Sequence, residues 1–343
     1  VHIAVAAVLV IAIGLAAYNQ SRASRTARAA LMEKHHRLVF ETQFGAQFEG
    51  VTPSRNAIMK KQAIADCTAA IEHGVDLPGW YALRGKLYMR ENQFALALSD
   101  SDRALELDPE NSLALRVRGY LLLKRGEFEA ALVAYNQGLR GAPGWPENFH
   151  NRGRLHRIVG DYPSALADHD RAVVMAPGQA IVFMGRGITR RCAGDVEGAI
   201  EDLNQVISLD ADHGGWSVQA NTWIWEMRML RGGPDDMKAA VAALNAAREA
   251  TAAVEEPWDP LENAVSDMYA GQLTPEEVLS IAPKGVVRYA ASYYPGVKAL
   301  IDGRREEATT WFKQCRDGLR RLGRFDPPEF DLACRYLEQL GVD

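Results

Sequence analysis

The stretch "NRGRLHRIVGDYPSALADHDRAVVMAP" (Asn151–Pro177) sets Arg152 directly before Gly153, and this pair returns at a fixed interval. Gly85, Gly119, Gly153 and Gly187 stand thirty-four residues apart, preceded by Arg84, Arg118, Arg152 and Arg186. Twelve residues after each glycine lies Ala97, Ala131, Ala165 or Ala199, and four before each lies Tyr81, Leu115, Phe149 or Phe183. Pro109, Pro143 and Pro177 follow the first three glycines by twenty-four residues, and Ala211 breaks that series. A period of this length predicts one antiparallel helix pair per repeat. Glycine and alanine let the two helices approach closely, and the large apolar side chain fills the space beside the contact. Gly126, Gly160 and Gly194 lie seven residues after the repeat glycines, where the first helix must turn. The prolines stand where a second helix must stop.

The arginines recur because the hairpin recurs. Sixteen residues after each one stand Asp100, Ala134, Asp168 and Asp202. The two positions are nearly symmetric about the turn, so an antiparallel pair brings them face to face. Three structural ion pairs are expected: Arg84 with Asp100, Arg152 with Asp168, and Arg186 with Asp202. Arg118 faces Ala134 and needs another acceptor. Such pairs are read as clamps within the fold rather than as a ligand site.

Around the four repeats, placed at 78–211, the pattern decays. A partial repeat helix is expected at 58–77, with Ala63, Asp66 and Ala70 in register. A degenerate repeat at 212–253 carries the bulkier Trp223 and Trp225. An irregular insertion follows at 254–285. A last degenerate repeat and capping helix fill 286–343, with Gly296, Ala308 and Phe312 out of phase. Cys315 and Cys334 lie on either side of Arg324 in that last turn, so they can meet as a disulfide in an oxidising compartment or as two buried thiols. Cys67 and Cys192 fall on apolar helix faces and read as small core residues.

The chain opens on "VHIAVAAVLVIAIGLAAY", uncharged apart from His2. Residues 1–19 are therefore expected to be a transmembrane anchor or signal-anchor, at the short end of what spans a bilayer. Residues 20–57 follow as a juxtamembrane helix and linker. Its adjacent His35 and His36 point to different faces and make a poor metal pair. A net charge of −5 argues against a dedicated nucleic-acid binder.

The period and its residues are those of the tetratricopeptide repeat (TPR). The expected fold class is all-α, a TPR α-solenoid preceded by one N-terminal transmembrane helix. The C-terminal third resembles the tail of NlpI-like tetratricopeptide lipoproteins. Trp258-Asp259-Pro260, Gly271 with Thr274 and Glu276, and Gly296 through Phe312 carry the resemblance in order. Members of that family are bacterial envelope adaptors that bring peptidoglycan hydrolases and proteases together, which implies a periplasmic scaffold. The arginines after the apolar segment, Arg22, Arg25 and Arg28, argue instead for the cytoplasmic side. This sequence departs from the family by having no lipobox cysteine after the apolar segment, and by Pro295 before Gly296, which is expected to kink or shorten that helix.

No phosphate loop, nucleophile elbow or zinc-protease helix occurs, so no catalytic residue, cofactor, metal or small-molecule substrate is expected. The first helices of stacked repeats line a shared surface. Its expected members include Lys86, Arg116, Tyr120, His150, Arg154, Arg157 and Arg191, a basic and partly apolar set suited to an acidic or amphipathic segment of a partner protein. The sequence therefore reads as a membrane-anchored, non-enzymatic adaptor. The alternatives are an accessory subunit or assembly factor of a membrane complex, and an enzyme of unrecognised type.

Overall fold

The computed structural model describes residues 53–72, 77–210, 215–232, 235–236, 238–240, 242, 260–269, 271–282, 291–322 and 328–342. The apolar segment expected at 1–19 and nearly all of 20–57 lie outside the described residues. Among those described, no helix is long and apolar enough to cross a membrane, and none is a strand. The described residues fall into two compact units, 54–114 and 115–342.

The first unit holds α1 (Pro53–Glu72), α2 (Pro78–Arg90) and α3 (Phe94–Leu107). Trp80, Leu83 and Leu87 of α2 pack on Ala63, Cys67 and Ala70 of α1. A Cβ at Gly85 would stand 3.2 Å from the Ala97 carbonyl oxygen, so α2 and α3 approach almost to backbone contact there.

The second unit carries most of α4 (Ser112–Lys124), then α5 (Phe128–Gly141), α6 (Pro146–Ile158), α7 (Tyr162–Met175), α8 (Ala180–Ala193) and α9 (Val196–Leu209). These pair as hairpins that stack in chain order. α6 packs on α7 and α8 on α9, while α5 meets α6 and α7 meets α8. The first helices α6 and α8 also touch directly, so they form one layer. In each hairpin the turn residue is left-handed: φ is 76° at Gly126, 81° at Gly160 and 90° at Gly194. The first repeat uses Asn92 instead, at φ 57°. Asparagine tolerates that conformation better than other side-chain-bearing residues.

Next come α10 (Gly215–Arg231), α11 (Pro260–Tyr269), α12 (Pro275–Ile281), α13 (Tyr293–Ile301), α14 (Arg305–Arg321) and α15 (Pro328–Gln339). The last hairpin, α13 with α14, is built like the early ones. A Cβ at Gly296 would meet Phe312 Cε1 at 2.6 Å, just as one at Gly119 would meet Tyr135 Cε1 at 2.6 Å. Gly303, seven residues after Gly296, again turns left-handed at φ 77°. Pro295 sits in the first turn of α13, where its missing N–H is harmless, and the helix runs only nine residues.

Residues 254–285, expected to be irregular, contain two helices in their described part. Ala264, Val265 and Met268 bury one face of α11. α12 begins at a capping box, in which Thr274 accepts from the Glu277 amide and Glu277 accepts from the Thr274 amide. Period-based reading missed both because neither belongs to the thirty-four-residue pattern.

Candidate functional site

Each clamp arginine reaches two ways. Arg84 Nε donates to Asp100 at 2.7 Å, while Nη1 donates back to the Thr68 hydroxyl at 3.1 Å. Arg152 repeats this with Asp168 at 2.6 Å through Nη2 and with Asn136 at 2.7 Å through Nη1. Arg186 holds Asp202 at 2.7 Å and Asp170 at 2.8 Å. Every partner is sixteen residues away, one forward and one backward. The forward bond closes a hairpin, and the backward bond ties that hairpin to the preceding second helix. The backward partners Thr68, Asn136 and Asp170 differ in type, so the repeat pattern did not single them out. Hydrogen bonding to the aspartates raises all three guanidinium pKa values and fixes their charge. Arg118 is exposed, opposite the buried Ala134. The clamps are structural members.

The residues expected to share a binding surface divide sharply. Lys86 is half-buried in the first unit. In the second unit Arg116, Arg157 and Arg191 are buried, which corrects their assignment as surface cations. Arg116 lies 5.8 Å over the Trp145 ring with Glu147 at 3.9 Å. Arg157 is only 4% exposed. Arg116 is covered by the Trp145 ring and Arg191 by Trp223 and Tyr293, as long side chains with apolar stems tend to pack.

Tyr120 and Arg154 remain half-buried. The Arg154 guanidinium lies 5.5 Å over the Tyr120 ring, and the Lys124 ammonium 5.2 Å from the same ring centroid. Two cations thus share one aromatic ring on the first-helix layer of α4 and α6.

Arg191 is enclosed by later helices of the same chain. Its Nη2 donates to Glu226 Oε2 at 2.7 Å and to the Tyr293 hydroxyl at 2.5 Å. Tyr269 donates to the other Glu226 oxygen at 2.7 Å. The guanidinium lies 5.8 Å from both the Trp223 and Tyr293 rings. Glu226 is fully buried. Burial pushes its carboxyl upward against Arg191 and the two tyrosine hydroxyls, which favour the charged form. A second carboxylate, Glu329, accepts from Tyr294 at 2.8 Å nearby. The sequence held one clue: Glu226 follows directly on the apolar run Trp223-Ile224-Trp225, and an acid on a buried face requires a partner.

His150 and His169 meet edge to face, ring centroids 5.4 Å apart. Gly185 makes room for them, since a Cβ there would lie 2.7 Å from His150 and 2.8 Å from His169. Burial pushes the His150 pKa down to about 4, with Arg154 and Arg157 adding to the effect. His169 falls well below the ordinary value for the same first reason, helped by His150, Arg157 and Arg186. Both are neutral packing residues at pH 7, and surrounding arginines disfavour a bound cation. Among the described residues no group of three or more His, Cys, Asp or Glu is placed to hold a metal ion.

Cys315 and Cys334 are not joined as a disulfide in this structure. The buried Cys315 Sγ donates to the Glu329 carbonyl at 3.7 Å, and burial drives its pKa well up.

Residues 83–146 match the family model described as "Tetratricopeptide repeat". The hairpins within these residues are tetratricopeptide repeats. The chain is similar in structure to YrrB, described as a TPR protein with an unusual peptide-binding site, at 19% identity over 60% of this chain and 98% of that one, TM-score 0.42. It is similar to PilW, described as a type IV pilus biogenesis factor, at 17% identity over 71% and 94%, TM-score 0.47. It is also similar to pilF of Pseudomonas aeruginosa, at 16% identity over 72% and 99%, TM-score 0.48. No curated protein matches the sequence.

Proposed function

We propose that this TPR protein is a non-enzymatic adaptor that holds an acidic or amphipathic segment of a partner protein on the first-helix layer of its second unit. One observation carries the reading: the Tyr120 ring meets both Arg154 and Lys124. This is a half-buried, basic and aromatic surface on the first-helix layer. Aromatic rings and arginine supply most of the energy in protein interfaces, and the positive field selects acidic partners. The apolar segment 1–17 would tether the adaptor to a membrane, and the resemblance to NlpI-like proteins favours the periplasmic side of a bacterial envelope. A cytoplasmic placement is the competing topology.

A second reading, an accessory subunit or assembly factor of one membrane complex, is favoured by the enclosure of Arg191. Where later helices of the chain already cover that part of the layer, less surface is left for exchange between partners.

A photo-crosslinking side chain at position 154, compared with one at Val174, tests the adaptor reading. Val174 is 73% exposed on α7, a second helix. The adaptor predicts a protein crosslink from position 154 and none from 174. Equal yields from both, or none from 154, would contradict it.

A further inference from the structure

In the second unit Asp168, Asp202 and Glu226 are buried against arginines, at 2.6 Å from Arg152, 2.7 Å from Arg186 and 2.7 Å from Arg191. Glu329 is buried without one. It is 7% exposed. Its carboxyl meets the Tyr294 hydroxyl at 2.8 Å and its own backbone amide, with no cation at ion-pair distance among the described residues. A guanidinium suits only the charged form of an acid. A phenol suits both forms, since it donates to a carboxylate and accepts from a carboxylic acid.

Glu329 lies in the first turn of α15, which packs on α14, on α13 and, across the array, on α8. Leu332, Ala333 and Leu337 are buried on this helix, and the Tyr336 ring stacks on Phe312 with centroids 5.1 Å apart. A Cβ at Gly194 would stand 2.6 Å from Arg335 Nη2, so α15 reaches the turn that ends α8. Each neighbouring helix brings a titratable or charged group toward Glu329. α8 brings Arg191 and α10 brings Glu226. α13 brings Tyr294, with the Tyr293 ring 5.3 Å from it, and α14 brings Cys315, whose Sγ donates to the Glu329 carbonyl. On α15 itself Cys334, Arg335 and Tyr336 stand more than one turn further along. Arg191 is already answered by Glu226. A second carboxylate here is one negative charge too many, and a buried acid in that position neutralises instead. Burial raises the Glu329 carboxyl and Glu226 adds to it, while its backbone amide, Tyr294 and Arg191 pull the other way without cancelling the rise.

We propose that Glu329 makes α15 a proton-dependent clasp, closed on α8 and α13 while its carboxyl is protonated and loosened when that carboxyl ionises. The device is independent of what the first-helix layer binds. In the open helix the carboxyl returns to water and its ordinary value of 4.5, so closing the clasp takes up a proton. Closure is strongest below that value and weakens as pH rises through the raised value of the closed state. The sign is opposite to that of His150 and His169, whose neutral forms favour the folded chain. Loosening uncovers the Phe312 ring beneath Tyr336 and the end of α8 at Gly194.

The test is hydrogen–deuterium exchange of the full chain between pH 5 and 8, read as protection factors so that the intrinsic pH dependence of exchange is removed. Peptides covering 329–340 should lose protection as pH rises, by up to about tenfold per pH unit until Glu329 is ionised. Peptides from α7 are the control, because the histidines loosen that helix in acid instead. Glu329→Gln should keep α15 protected at every pH, and Glu329→Leu, a second neutral side chain, should remove the slope as well. Flat α15 protection in the wild type overturns the proposal, even where neither variant folds. The wild-type slope retained in a folded neutral variant overturns it too. So does loss of α15 protection at every pH in both variants with α7 intact, since the carboxylate would then be what holds the helix.

Discussion

Arg191 Nη2 stands 2.7 Å from Glu226 Oε2, and both side chains are buried. The pair joins α8 of the regular array to α10, the first helix of the degenerate part, and through Tyr269 and Tyr293 to α11 and α13. Removing one partner strands the other charge in an apolar setting. Arg191→Met or Glu226→Leu alone should each cost about 3–5 kcal/mol in denaturant unfolding. The double substitution should recover much of that loss, because a well-packed apolar replacement avoids both desolvation penalties. Additive losses in the double variant would show that the pair is not acting as a unit.

The two acceptors of Arg186 should differ in worth. Asp202 has 2% of its side chain exposed and Asp170 has 58%. Asp170→Asn should change stability by about 0–1 kcal/mol, as exposed pairs do. Asp202→Asn should cost several times more, since Arg186 and Arg190 both point at it. Comparing urea midpoints of the two variants checks the order.

Close helix contact at Gly119 is required, not incidental. Gly119→Ala would drive a Cβ to 2.6 Å from Tyr135 in a well-packed hairpin. A loss of roughly 1–3 kcal/mol is expected, the usual size of overpacking. A methyl carbon on Gly144 would meet nothing within 4 Å, so Gly144→Ala should stay within about 0.5 kcal/mol. Thermal melts of the two variants make the comparison.

Acid should weaken the second unit through its histidines. His150 and His169 titrate below their ordinary value of 6.5 in the folded chain, His150 at about 4. The unfolded chain therefore takes up protons first as pH falls. The stabilisation from keeping the pair neutral is complete above about pH 6.5 and is lost as pH drops through the folded values. Protonation would also set imidazolium against Arg154, Arg157 and Arg186. His169→Phe places at this register the ring type that Phe312 supplies beside Gly296, and it should flatten the unfolding midpoint between pH 6.5 and 4 relative to wild type. An unchanged slope would remove His169 from the acid response.

What could be read from the sequence was whatever recurs. Gly119 and Ala131, or Gly153 and Ala165, mark the same helix contact each time, and Gly126, Gly160 and Gly194 mark the same turn. Repetition multiplies a weak local signal. The backward acceptors Thr68, Asn136 and Asp170 share a position but not a residue type, so only geometry groups them. α11 and α12 occur once and have no period to expose them. The Arg191 centre draws on Glu226 and Tyr293, which lie 35 and 102 residues downstream. No local rule connects such distances. Exposure failed for a different reason: register places Arg116 and Arg157 on a helix layer, but whether a long side chain stands up or lies down is decided by its neighbours.

The most direct test of the adaptor surface is quantitative capture from gently solubilised native membranes, comparing the tagged wild-type chain with Tyr120→Ala/Arg154→Glu. Both positions are half-buried, so circular dichroism should first show the same helical signal in each. A protein enriched with the wild type and lost from the double variant is the predicted result. A partner recovered equally with both chains would contradict binding at the Tyr120–Arg154 surface.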